Sequence, residues 1–143
     1  MSNYSTRSVN KISPELELNI ICSRFEISEG QKTKVDNILA QHLNWDKIIT
    51  HSIYHKTLPL LHRNLTLFFK EKVPSEVLNT LSSHQKLNSI HNITIAGTLI
   101  QIHDVLSREN ISVLPVKGVT LAKKLYNDTS LRICSDLDIL VER

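Results

Sequence analysis

Ser135-Asp136-Leu137-Asp138-Ile139-Leu140-Val141 is the stretch on which the fold turns. Two carboxylates alternate with apolar residues in a run that otherwise has the composition of a buried β-strand. Alternate strand residues share a face, so the pattern predicts that Asp136 and Asp138 point the same way. Two like charges on one face repel, and burying them is costly. A divalent cation removes both penalties, and Mg²⁺ is the usual choice where carboxylates meet phosphates. A plainer reading is a solvent-facing edge strand with two harmless acids. It turns Leu137, Ile139 and Val141 to the core and leaves Leu140 on the wet face.

Upstream, Ile111-Ser112-Val113-Leu114-Pro115-Val116 is short, β-branched and apolar, and it predicts another strand. Pro115 cannot donate to a ladder, so this strand is expected at an edge or irregular near its end. Gly118 to Tyr126 reads as a short helix, with Val119, Leu121, Ala122 and Leu125 on its apolar side. Asn127-Asp128-Thr129-Ser130 is a turn cluster, and Leu131 to Ile133 lead into the acidic run. A glycine between strand and helix lets a ligand approach the backbone. The first turn of the following helix offers unpaired N–H groups and a positive dipole end to a phosphate. Lys117 adds a full charge, Thr120 a hydroxyl, and Arg132 a second cation that can hold phosphate or neutralise Asp136. Each has an ordinary alternative: a turn glycine, a surface lysine, a solvated arginine. Tyr126 is expected to pack under the sheet.

The rest of the chain is helical in pattern. Ser13-Pro14-Glu15 has an N-cap followed by proline at the first helical position, predicting a helix through Leu16, Ile20 and Ile21 to about Phe25. Ser28 caps a second helix carrying Val35, Ile38, Leu39 and Leu43. A third starts near Asn44 and buries Trp45, Ile48, Ile49 and Ile53. Pro59 opens the apolar segment Leu60 to Phe69. Pro74-Ser75-Glu76 opens the longest pattern, to about Arg108, with Ile95, Leu99, Ile102 and Leu106 as a stripe. Gly97 within it is read as permitting a close helix contact. Residues 1–13 are polar and read as a flexible tail, 14–109 as a helical domain, and 110–143 as the start of a second unit.

Composition bounds the function classes. The chain has 143 residues, 41% apolar and 22% charged, with a net charge of +3. That charge is too small and dispersed to argue for nucleic-acid binding. Cys22 and Cys134 are far apart and belong to no Cys-x-x-Cys pair, which argues against a disulfide scaffold or a structural zinc site. His51 and His55 have the spacing of a helical zinc pair, but no glutamate follows the first and no third ligand is evident. No stretch reaches the length of a membrane span and the N-terminus lacks an apolar signal core, so a cytoplasmic location is expected.

Leu114-Pro115-Val116-Lys117-Gly118, Leu121-Ala122, Leu125-Tyr126, Leu131-Arg132 and Asp136-Leu137-Asp138-Ile139-Leu140-Val141 together resemble the uncharacterised bacterial nucleotidyltransferase family of the DNA polymerase beta-type superfamily. Trp45-Asp46, His55, Leu58-Pro59-Leu60-Leu61 and Val73-Pro74 are similar to the helices that precede the catalytic core there. The resemblance covers about residues 44–143. It implies an α+β, predominantly α fold: a helical N-terminal region, then the strand-helix-strand start of a mixed sheet. It also implies transfer of a nucleoside monophosphate from a nucleoside triphosphate to an acceptor hydroxyl. Asp136 and Asp138 match the ligands of two Mg²⁺ ions, and with Lys117 they are the candidate catalytic residues. Gly118 matches the phosphate-gripping turn, with Lys117, Thr120 and Arg132 beside it.

Two departures accompany the resemblance. The usual Gly-Ser is Gly118-Val119 here, with Lys117 or Thr120 as stand-ins. The superfamily's third carboxylate, on a later strand, has no counterpart before Arg143, so the sequence reads as the truncated front of a longer protein. The competing expectation is a catalytically inactive fragment or helical interaction module, completed by a partner chain at the open sheet edge.

Overall fold

The computed structural model describes residues 12–142. Most of the expected tail, residues 1–11, lies outside them. In chain order come α1 (Pro14–Cys22), α2 (Glu29–Leu39), α3 (Trp45–Tyr54), α4 (Leu58–Phe68), a 3₁₀ turn (Lys70–Lys72) and α5 (Ser75–Arg108). Then follow β1 (Val113–Pro115), α6 (Gly118–Tyr126), a second 3₁₀ turn (Thr129–Leu131) and β2 (Ile139–Val141). The fold is α+β and mostly α, as expected.

The expected helix starts are made by their side chains. Ser13 Oγ accepts from the Leu16 N–H, and Asn44 Oδ1 from the Lys47 N–H. Ser28 and Gln31 form a reciprocal capping box, each side chain accepting from the other's backbone N–H. Helix α1 stops at Cys22, short of the expected Phe25. Asn64 Nδ2 donates to the Cys22 and Arg24 carbonyls at 2.9 and 2.8 Å, and Arg63 donates to the Phe25 carbonyl. Those carbonyls, freed by the end of the helix, are thereby satisfied from α4.

Leu18, Ile21, Cys22, Val35, Ile38, Ile48, Leu58, Leu61, Leu65, Val77 and Leu81 form one apolar core where α1–α4 meet the first turns of α5. Three expected core positions face outward instead: Ile20, Ile53 and Leu125 are exposed. Ser52 takes the inward place beside Ile53, fully buried, its hydroxyl donating to the Ile49 carbonyl. Beyond Leu81 the stripe Ile95, Leu99, Ile102 and Leu106 is half-buried. Gly97 makes no close contact, because a Cβ there would meet nothing within 4 Å.

Strands β1 and β2 pair antiparallel, with Val113 opposite Val141, Leu114 opposite Leu140 and Pro115 opposite Ile139. Flanking bonds extend the ladder: the Val116 N–H donates to the Asp138 carbonyl, and the Glu142 N–H to the Ser112 carbonyl, both at 3.1 Å. The expected acid-bearing strand is therefore shorter than the alternation implied. Regular pairing starts at Ile139, and Asp136 to Asp138 lie in the segment that enters it. The bonds from Ser112 to Val116 are taken up by residues 138–142, and residues 132–137 run without a ladder. Among the described residues no helix is long and apolar enough to cross a membrane.

Candidate functional site

The antiparallel register determines what meets the acids. Since Val116 pairs with Asp138, the chain must turn at Lys117-Gly118 directly beside them. Gly118 has φ +60°, a left-handed conformation that favours glycine. A Cβ at Gly118 would also come within 3.3 Å of the Asp136 carbonyl oxygen, so glycine lets the corner pack this closely. Helix α6 then starts at the corner, with its N-terminal backbone N–H groups and exposed Thr120 in the first turn.

The charged groups gather around the two acids. Lys117 Nζ lies 3.1 Å from Asp138 Oδ2, so the lysine expected to hold phosphate pairs with an aspartate. Both side chains are well exposed, which makes the pair a weak contributor to stability. Asp136 Oδ1 accepts from Ser135 Oγ at 3.3 Å. Ser135 Oγ in turn accepts from Lys56 Nζ at 3.2 Å, a contact spanning 79 positions of sequence. Lys56 closes the turn between α3 and α4 with φ +57°. Sequence reasoning missed it, and a lone lysine in a helical turn carries no signal that would have found it.

Arg132 is half-buried just before the acids, and its Nε has no hydrogen-bond partner among the described residues. Burial raises the Cys134 thiol pKa; Arg132 and Lys56 oppose that rise, and Asp136 adds to it. Lys56, Arg132 and Asp136 thus all lie close enough to act on one buried sulfur. Cys22 is raised to about 12 by burial alone. Both thiols are buried and free, and their raised pKa makes poor nucleophiles.

The segment carrying the acids hangs from α5 by side-chain amides. Gln85 Nε2 and Asn88 Nδ2 donate to the Ser130 carbonyl at 3.0 and 2.8 Å. Asn92 Nδ2 donates to the carbonyls of Thr129 and Arg132 at 2.6 and 2.7 Å, and Asn88 also reaches Arg132 at 3.3 Å. Asn92 is fully buried. These residues were also missed, although a signal existed: Asn88 and Asn92 occupy the same helical face as Ile95 and Leu99. An amide on an apolar face has to find a partner.

His51 and His55 approach edge-on with ring centroids 6.4 Å apart, and no third ligand joins them. No group of three or more His, Cys, Asp or Glu that could hold a metal exists among the described residues. A cleft of about 240 Å³ lined by Leu16, Ile20, Ser23 and the two histidines includes none of the predicted site residues. Tyr126 packs its ring 5.3 Å from that of Phe25, just after the end of α1.

Two acids nevertheless suit Mg²⁺, which typically takes one or two carboxylates and fills its shell with water and substrate phosphates. Asp136 is exposed and Asp138 half-buried, both are hard oxygen donors, and the Gly118 corner packs alongside them. In comparisons with known proteins, the family described as "Uncharacterised nucleotidyltransferase" matches residues 41–143. No curated protein and no solved structure matches.

Proposed function

This chain belongs to the uncharacterised nucleotidyltransferase family, and from that premise we propose that it binds a Mg²⁺–nucleoside triphosphate for transfer of the nucleoside monophosphate to an acceptor hydroxyl. The observation that carries the reading is the corner Lys117-Gly118 held against Asp136–Asp138 by the strand register. It brings a phosphate-type corner and a carboxylate pair to one place.

Asp136 and Asp138 hold the metal. When bound there, the metal would supply charge neutralisation at the phosphates and a lowered pKa for the attacking hydroxyl. The first-turn N–H groups of α6 and the Thr120 hydroxyl bind phosphate oxygens, at a corner that Gly118 lets pack against the Asp136 backbone. Lys117 leaves Asp138 for the triphosphate, which frees that carboxylate. Arg132 and Lys56 supply further positive charge beside the acids. Transfer forms a bond from the acceptor oxygen to the α-phosphorus and breaks the bond to pyrophosphate; the acceptor proton is lost and pyrophosphate departs.

Calorimetric titration with a triphosphate and Mg²⁺ tests the reading. The wild-type chain binds, and Asp136→Asn with Asp138→Asn abolishes Mg²⁺-dependent binding. Equal affinity in both proteins would sink it. A second reading rests on Leu114, Leu140 and Val141, which are exposed on the two-stranded sheet. On that reading the chain is an inactive module whose strand edge takes a partner. Nucleotide transfer from a labelled triphosphate by the purified chain would exclude it.

A further inference from the structure

Helix α5 has two unlike faces. One carries Asn88, Asn92 and the half-buried stripe ending at Leu106, and it serves the strand-bearing region. The other carries Leu87, Ile90, Ile93, Ile100 and Val105, which are 65, 63, 68, 62 and 58% exposed. Ile90, Ile93, Gly97 and Ile100 step by three, four and three residues, the rhythm of a coiled-coil seam. Single exposed apolar residues are ordinary, but a contiguous stripe marks an interface.

Gly97 sits in the middle of this stripe. A side chain there would meet nothing among the described residues within 4 Å. The fold therefore does not require glycine, while glycine inside a helix weakens it relative to alanine. A neighbour from outside the chain supplies the missing reason.

We infer that this face pairs α5 with α5 of a second copy, antiparallel, about a twofold axis crossing the helix near residue 95. In that register Ile90 lies opposite the partner's Ile100, and Ile93 fills the space over the partner's Gly97. Lys86 lies opposite the partner's Asp104. Both are exposed, and symmetry makes each contact twice. Charge selects the direction. A parallel in-register pair sets Lys86 against Lys86 and Asp104 against Asp104, and leaves a void between two glycines. Ile90, Ile93 and Ile100 at about 100 Å² each, with Leu87 and Val105 about half covered at the rim, bury about 800 Å² over both copies. That is below the usual size of a stable specific interface, so the dimer is weak and reversible.

Sedimentation velocity on the purified chain tests this across the micromolar range. The mass is expected to rise from 16.3 kDa towards twice that value with concentration. Ile93→Glu, checked for unchanged helicity by circular dichroism, is expected to raise the Kd about 100-fold or more. Lys86→Asp weakens the dimer about fivefold, and adding Asp104→Lys restores it. Ile90→Cys and Ile100→Cys chains, mixed and oxidised, give a covalent dimer that neither variant gives alone; buried Cys22 and Cys134 stay out of the reaction. A chain that is monomeric throughout overturns the inference, as does a dimer that Ile93→Glu leaves intact. Cross-linking by either cysteine variant alone overturns the antiparallel register.

Discussion

Leu18, Ile48, Leu61 and Leu65 are sealed in the apolar core of the helical region, whereas Thr129–Arg132 are suspended from α5 by side-chain amides. The first arrangement is non-directional and scales with buried area. The second is directional, and it fixes where particular carbonyls lie. Around the strands, among the described residues, only Val119, Ala122, Leu131 and Cys134 join the buried apolar residues. The helical region is thus held by quantity of contact and the acidic segment by geometry. Asp136 is exposed and Asp138 half-buried, and the polar anchors lie close behind them in sequence, from Thr129 to Arg132.

Three perturbations press on this difference, the largest first. Leu61→Ala empties space at a fully buried position and is expected to cost about 3–4 kcal/mol. Chemical denaturation should show this as a lower midpoint for the whole chain. Asn92→Leu removes both amide bonds and leaves the Thr129 and Arg132 carbonyls short of a donor, at about 2–3 kcal/mol. Hydrogen exchange should show its effect as lost protection from Thr129 to Asp138, with α1 to α4 unchanged. Equal loss in both regions would mean that the amides support the whole fold rather than the segment.

The smallest effect belongs to His62, on the cleft between α4 and the turn bearing Asp128 and Ser130. Burial lowers its pKa below the ordinary imidazole value, so the folded state favours the neutral ring. The unfolded chain then binds more protons in the window between the two values, and stability falls as pH drops through it. His62→Gln should flatten that part of a stability–pH profile. An unchanged slope would show that another group carries it.

The two regions also differed in how legible they were. Helix starts follow from local chemistry, and Ser13, Ser28 and Asn44 all cap as their positions imply. The long helix is bracketed by Pro74 and Asn110, the latter at φ +58°. The candidate residues were visible as types, and Lys117-Gly118 and Asp136–Asp138 do come together, through the register that Val116 and Asp138 share. Their partners were not visible. Alternation alone could not show that Asp136 lacks a neighbouring strand, or that Lys117 would pair with Asp138. Contacts such as Lys56 to Ser135 and Asn92 to Arg132 join residues far apart in sequence, and no local pattern announces them.

The Lys117–Asp138 pair has a consequence for how the proposed ligands cooperate. An ammonium resting on Asp138 competes with a cation for the same oxygens, so metal alone binds against a resident competitor. A triphosphate that draws the lysine away removes that competitor, and metal on the aspartate releases the lysine for phosphate. The two ligands are then thermodynamically linked: each raises the other's apparent affinity by the same factor.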